Sequence, residues 1–160
     1  MTTVRGFIFF YKSVQGVPTM DGRCIEDLKV GDTASLSKTV TAADIEQFAR
    51  VTGDTNPVHL DEAYAAKTMF KTRIAHGMLS AGYISAVLGT KLPGPGAIYL
   101  KQDLSFRAPV RIGDTVTTTA TVTEVMLDKK RAALKTVCSV GDTVVLEGSA
   151  LLLVPSRAGK

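Results

Sequence analysis

The chain has 160 residues, 45% hydrophobic and 21% charged, which suits one domain with a buried core and excludes a disordered chain. The net charge of +4 gathers near the C-terminus, around Lys129, Lys130, Arg131 and Lys135, and the stretch 41–125 is electrically balanced. With 6% aromatics and no Trp, this is not the aromatic-studded basic face of a nucleic-acid binder; the four charges read as a solvated strand edge.

The first residues stand apart. Phe7 to Tyr11 is a short aromatic-rich run, followed by Gly16 and Pro18, and regular organisation begins only near Glu26. Residues 1–25 are therefore expected to be an extension, either an added strand or a non-native segment preceding a start at Met20. A single domain is expected over 26–160. Residues 33–40 read as a strand. Thr41, with Asp44 three positions on, has the form of a capping box and opens a helix that places Ile45, Phe48, Ala49 and Thr52 on one face. Gly53 closes it. Asp61 is positioned to cap a second short helix running through Ala65 to Met69.

Between Arg73 and Lys91 there is no charged side chain. The segment His76–Leu88 spreads its apolar residues around the whole circumference of a helix, with small residues between them. Such a helix is expected to be buried, with strands approaching closely. Beyond Pro93-Gly94-Pro95-Gly96 the period changes to two. Ile98, Leu100, Gln102, Leu104 and Phe106 point one way, and Thr115, Thr117, Thr119, Thr121 and Thr123 later share a face. Two further strands, about 132–140 and 143–154, flank a hairpin turn at Gly141-Asp142. This is an α+β order in which an antiparallel sheet wraps one buried helix.

Chemistry has few places to reside. The two histidines, His59 and His76, and the two cysteines, Cys24 and Cys138, match no zinc-ligand spacing, and two isolated cysteines suit a reducing cytoplasm. No apolar run approaches the roughly 20 residues of a membrane span. The phosphate-binding, nucleophile-elbow and metalloprotease motifs are missing. What remains is Gly53-Asp54-Thr55-Asn56-Pro57-Val58-His59-Leu60-Asp61, a polar segment between two helices. Pro57 biases Asn56 towards extended backbone, so Asp54 and His59 are not neighbours on a helix face. A compact loop can still aim a carboxylate and an imidazole at one water, one accepting its proton while the other donates. The same residues equally suit an ordinary turn, and spacing alone leaves both readings open.

The stretch GDTNPVHLDEAYA, followed by IAHGMLSAGYIS and LPGPGAIYLKQDLSFRAPVRIGD, resembles the MaoC-like, (R)-specific enoyl-CoA hydratases over about residues 26–154. The resemblance implies a hot-dog fold, an antiparallel sheet around a long central helix, and assembly as a homodimer or larger homo-oligomer. It implies Asp54 and His59 as catalytic residues and Gly77 as the backbone N–H that binds the thioester carbonyl. Asn56 and Ser85 are implied as supporting residues. The implied activity is syn hydration of trans-2-enoyl-CoA to (R)-3-hydroxyacyl-CoA, with CoA as part of the substrate and neither metal nor redox cofactor. Dehydration of carrier-protein thioesters and non-catalytic thioester binding are the alternatives. His76 is expected to be a structural neighbour of Gly77. A cytoplasmic location is expected, without nucleic-acid or membrane partners; acyl length and pathway, polyester precursor supply included, are not fixed.

Overall fold

In the computed structural model, which describes residues 22–158, the period-two segments become five strands. They are β1 (Thr33–Thr39), β2 (Ile98–Phe106), β3 (Thr115–Met126), β4 (Arg131–Val140) and β5 (Thr143–Leu153). The sheet is antiparallel throughout, in the order β1-β3-β4-β5-β2. The threonine face of β3 turns away from the core and pairs across to β1. Thr115, Thr117 and Thr121 lie 2.8, 2.9 and 3.2 Å from the hydroxyls of Thr39, Ser37 and Thr33. On the opposite face Val116, Thr118, Ala120 and Val122 are buried. Alternation thus sets which side of the sheet is dry, and the hydroxyl pairs tie the edge strand β1 to its neighbour.

Four helices interrupt the strands: α1 (Ala42–Thr52), α2 (Pro57–Leu60), α3 (Glu62–Ala65) and α4 (Gly77–Thr90). The capping box of α1 is formed. Thr41 Oγ1 accepts from the Asp44 N–H at 3.1 Å, and Asp44 Oδ2 accepts from the Thr41 N–H at 2.9 Å. Gly53, at φ 78°, ends the helix in the left-handed conformation that glycine adopts without steric cost. Lys38 donates to Asp44 at 2.9 Å, and with the Thr41 hydrogen bonds holds the Asp44 carboxyl down at about 2.

Helix α4 packs chiefly on β3 and also meets β1, β4 and β5. Ile84, Val87 and Leu88 are sealed within the core. This is the hot-dog arrangement. The burial expected of α4 holds on one side only, because Met78, Gly82, Ser85 and Gly89 face outward. Strand β2 also departs from expectation. Of the residues expected to share one face, Ile98, Leu100 and Phe106 are exposed, and only Gln102 and Leu104 are half-buried. The strand sits at the sheet edge, and its register shifts between Tyr99 and Lys101, which breaks the alternation at Leu100. Opposite Leu104, Gly148 admits close passage of β2: a Cβ there would lie 1.8 Å from the Asp103 carbonyl oxygen.

Two boundaries move. The helix expected from Asp61 towards Met69 is the single turn α3, capped by Asp61 Oδ1 on the Tyr64 N–H at 3.0 Å. Beyond Ala66 the chain tightens into three-residue turns, Lys67 N–H donating to the Tyr64 carbonyl and Thr68 N–H to the Ala65 carbonyl, and the Thr68 hydroxyl also donates to the Ala65 carbonyl. The expected extension 1–25 lies mostly outside the described residues. Its described end is packed on the domain: Ile25 is buried, and its N–H donates to the Pro155 carbonyl at 2.7 Å. The packed unit therefore includes residues before Glu26. No helix among the described residues is long and apolar enough to cross a membrane.

Candidate active site

The polar segment after α1 is not wholly loop. Asn56 (φ −52°, ψ 124°) caps α2, with Pro57 as its first residue. One helical turn shows no periodicity in sequence, but the Asn-Pro pair is itself a start signal, a capping side chain followed by a residue pre-set for the first turn. Asn56 Oδ1 accepts from the Val58 N–H at 3.2 Å, and its own N–H donates to Asp54 Oδ1 at 3.2 Å. Asn56 thereby shapes the turn from both ends, linking the Asp54 carboxylate to the helix that carries His59.

His59 is 9% exposed, and its Nδ1–H donates to the Ile74 carbonyl at 2.9 Å. A carbonyl can only accept, so this bond fixes the proton on Nδ1 and leaves Nε2 of the neutral ring as an acceptor. Burial pushes the His59 pKa down and the neighbouring His76 adds to this; the Ile74 bond and the Asp54 charge oppose it without reversing the direction. His76, at the N-cap of α4 and 2% exposed, makes a complementary bond. Its Nε2–H donates to the Asp54 backbone carbonyl at 3.0 Å. The two imidazoles stack with centroids 3.8 Å apart and planes tilted by 32°, and Phe48 of α1 lies 4.8 Å from the His76 ring. His76 Nδ1 is buried with no partner among the described residues, an arrangement that costs about 1–3 kcal/mol.

A carboxylate oxygen of Asp54 and one nitrogen from each histidine lie within 4.8 Å of one another. They are possible metal ligands, although one nitrogen of each ring is already committed to a backbone carbonyl. The same spacing suits a water molecule, whose two hydrogen bonds of about 2.8 Å span acceptors roughly 4.5 Å apart. His59, His76 and Gly77 line a cavity of about 590 Å³ whose remaining walls are largely apolar, including Phe70, Ile74, Phe106, Val110 and Leu146. Gly77 is the first residue of α4, so its N–H has no intrahelical acceptor and sits at the positive end of the helix dipole. The Phe106 ring lies against it: a Cβ on Gly77 would come within 2.6 Å of Phe106 Cε1.

The structure gathers Asp54, Asn56 and His59 at one turn, with His59 and Gly77 on the cavity wall and Asp54 and Asn56 exposed outside its lining, and it leaves Ser85 apart. Ser85 is eight residues beyond Gly77, about 12 Å along the helix and roughly 80° around it, exposed and outside the cavity lining. Sequence reasoning missed Phe106, counted as one of a strand face, and the Ile74 carbonyl, which orients His59. The apolar-then-Arg-Pro run at 104–109 marked the end of a strand, but no local pattern reveals that it folds over a helix start.

Residues 29–145 match the family described as MaoC like domain. The chain belongs to the MaoC-like family. A MaoC-like relative from Rhodospirillum rubrum, named (R)-specific enoyl-CoA hydratase, is 61% identical over 132 residues, covering 82% of this chain and 92% of the relative. A 3-hydroxybutyryl-CoA dehydratase of Methylorubrum extorquens is 57% identical over 132 residues, covering 82% and 84%. Among solved structures, the (R)-hydratase of Aeromonas caviae involved in PHA biosynthesis superposes with a TM-score of 0.79 at 45% identity, covering 81% of this chain and 99% of that one.

Proposed function

We propose that this MaoC-like chain is an (R)-specific enoyl-CoA hydratase, a hydro-lyase that adds water reversibly to trans-2-enoyl-CoA. The observation that carries the reading is the cluster of the Asp54 carboxylate with the His59 and His76 rings, in which His59 keeps Nε2 as a free acceptor while His59 and Gly77 form part of the wall of the apolar cavity. High identity to named hydratases supports it.

In this mechanism the acyl chain occupies the apolar cavity and the thioester oxygen accepts from Gly77 N–H. A water molecule donates one hydrogen to Asp54 and the other to His59 Nε2, which leaves an oxygen lone pair for the β-carbon. As the C–O bond forms, Asp54 takes a proton and the C=C electrons move to the thioester oxygen. The resulting enolate is stabilised by the Gly77 N–H and the helix dipole. Protonated Asp54 then gives that proton to the α-carbon of the enolate on the same face, while His59 Nε2 still accepts from the new hydroxyl, and the product is that of syn addition. The enzyme ends in its starting protonation state, and nothing in this sequence of steps calls on a metal or redox group.

The native unit is a homodimer or larger homo-oligomer. Support comes from β2, which has one sheet neighbour and exposes Ile98, Leu100 and Phe106, and from the small-residue face of α4 at Gly82, Ser85 and Gly89. Ser85 would act in such an assembly, and its supporting role belongs to that reading. The two free cysteines, Cys24 and the buried Cys138, suit a reducing compartment and a cytoplasmic location.

The test is loss of enoyl-thioester absorbance on crotonyl-CoA and longer trans-2-enoyl-CoAs, with chiral analysis of the product. Turnover to the (R)-alcohol, persisting in EDTA, is expected. No turnover at any chain length would leave thioester binding alone. Faster turnover of carrier-protein thioesters at matched acyl length would make the chain a 3-hydroxyacyl-carrier-protein dehydratase.

A further inference from the structure

His76 is idle in the mechanism above, although it is among the most buried polar residues of the chain. It occupies the junction between the two halves of the site. The segment 74–77 carries Gly77 into α4, and the segment 54–59 carries the acid-base pair. These segments are tied by an exchange of side chains. His59 of the second segment donates to the Ile74 carbonyl of the first, and His76 of the first donates to the Asp54 carbonyl of the second. A backbone bond from Ile74 N–H to the Val58 carbonyl, 3.3 Å, completes the tie. The rings that cross over are stacked on each other.

We propose that His76 is a positioning residue for the hydration reaction: its Nε2–H, held to the Asp54 carbonyl, sets the carboxylate and the His59 ring in register with the Gly77 N–H. This rests on the hydratase reading of the site. The argument turns on what an imidazole adds at this point. A hydrocarbon of similar size would fill the same space against His59 and Phe48 without leaving a buried Nδ1 unpaired. What it would not supply is the donor. Without that donor the Asp54 carbonyl loses its partner, and the exposed Asp54 turn is held by the Thr52 hydroxyl and Asn56 N–H bonds, at 3.3 and 3.2 Å. Displacement of a reacting group by about 1 Å is enough to reduce a rate by the order of a hundredfold. The apolar walls of the acyl cavity and the Gly77 N–H belong to other residues, and His76 contributes only one face of the lining, so the loss falls on kcat more than on binding of the thioester.

The test uses the full-length protein and four enzymes: wild type, His76→Gln, His76→Asn and His76→Leu. Glutamine can place an amide N–H near the imidazole Nε2 position; asparagine reaches only as far as Nδ1. Steady-state hydration of crotonyl-CoA is measured for each, with thermal melting alongside. The expected result is a kcat at least tenfold below wild type for Asn and Leu, KM within about threefold, and recovery of most of kcat by Gln. A role in stability alone would follow the melting temperature instead, with kcat unchanged in whatever protein remains folded. If the Leu variant does not fold, the Gln and Asn pair, equally polar, decides the matter. Equal kcat for Gln and Asn, wild-type kcat in Leu, or a loss confined to KM overturns the proposal. A wild-type protein without hydratase turnover removes the functional reading beneath it, and the inference with it.

Discussion

Asp54 and His59 differ in what their surroundings do to them. Asp54 is exposed, and its carboxylate accepts a single backbone N–H, from Asn56; His59 is enclosed and its tautomer fixed. Replacing Asp54 with Asn keeps an oxygen for the Asn56 N–H but abolishes the base. A drop in kcat of about 10²–10⁴ is expected with melting unchanged; a rate within threefold of wild type would remove Asp54 from the chemistry. His59 must remain neutral to accept from water, and its pKa is lowered by burial. Falling pH protonates the ring and removes that acceptor, so kcat/KM should decline on the acid side with a midpoint below the ordinary imidazole value of about 6.5. The sign for stability is the same: below that value the unfolded ring takes up a proton that the folded ring resists, so acid favours unfolding. An acid midpoint at or above 6.5 would contradict this environment for His59.

Among the elements, those long enough to repeat a pattern were legible in the sequence. The capping box of α1, the charge-free α4 and the β4–β5 hairpin lie within a residue or two of where periodicity and turn chemistry put them. What escaped was short or depended on neighbours. Helix α2 is a single turn, too brief for a period, and β2 keeps an alternating sequence although α4 leans towards β3 and leaves it uncovered. Similarly, Asp54 and His59 were visible as candidates because both sit in one short segment. The Ile74 carbonyl and the Phe106 ring were not, because only folding brings them there. The box at α1 offers a direct check. Thr41→Ala removes the acceptor for the Asp44 N–H and should cost about 1 kcal/mol, lowering the melting temperature by about 2–4 °C. An unchanged melting curve would mean that the Lys38–Asp44 pair alone secures the helix start.

For the whole molecule, the uncovered sides of β2 and α4 define where a second copy would sit. Gly82 provides a probe that the single chain tolerates, since nothing lies within 4 Å of where its Cβ would be. Gly82→Arg should therefore leave the fold intact while blocking close approach of another helix. Light scattering should report twice the chain mass or more for wild type and a shift towards the single chain for the variant. A monomeric wild type, or a variant that associates as before, would rule out that face. Gly148 carries a different lesson. Its missing side chain lets β2 lie against β5, and β2 ends in the Phe106 ring that rests on Gly77. A side chain at 148 would lift the strand and with it the ring, so an inherited or laboratory substitution there should present as a catalytic defect. Screens of inactive variants would then return a position on a neighbouring strand, outside the cavity lining, and its meaning would be found in the path of the chain.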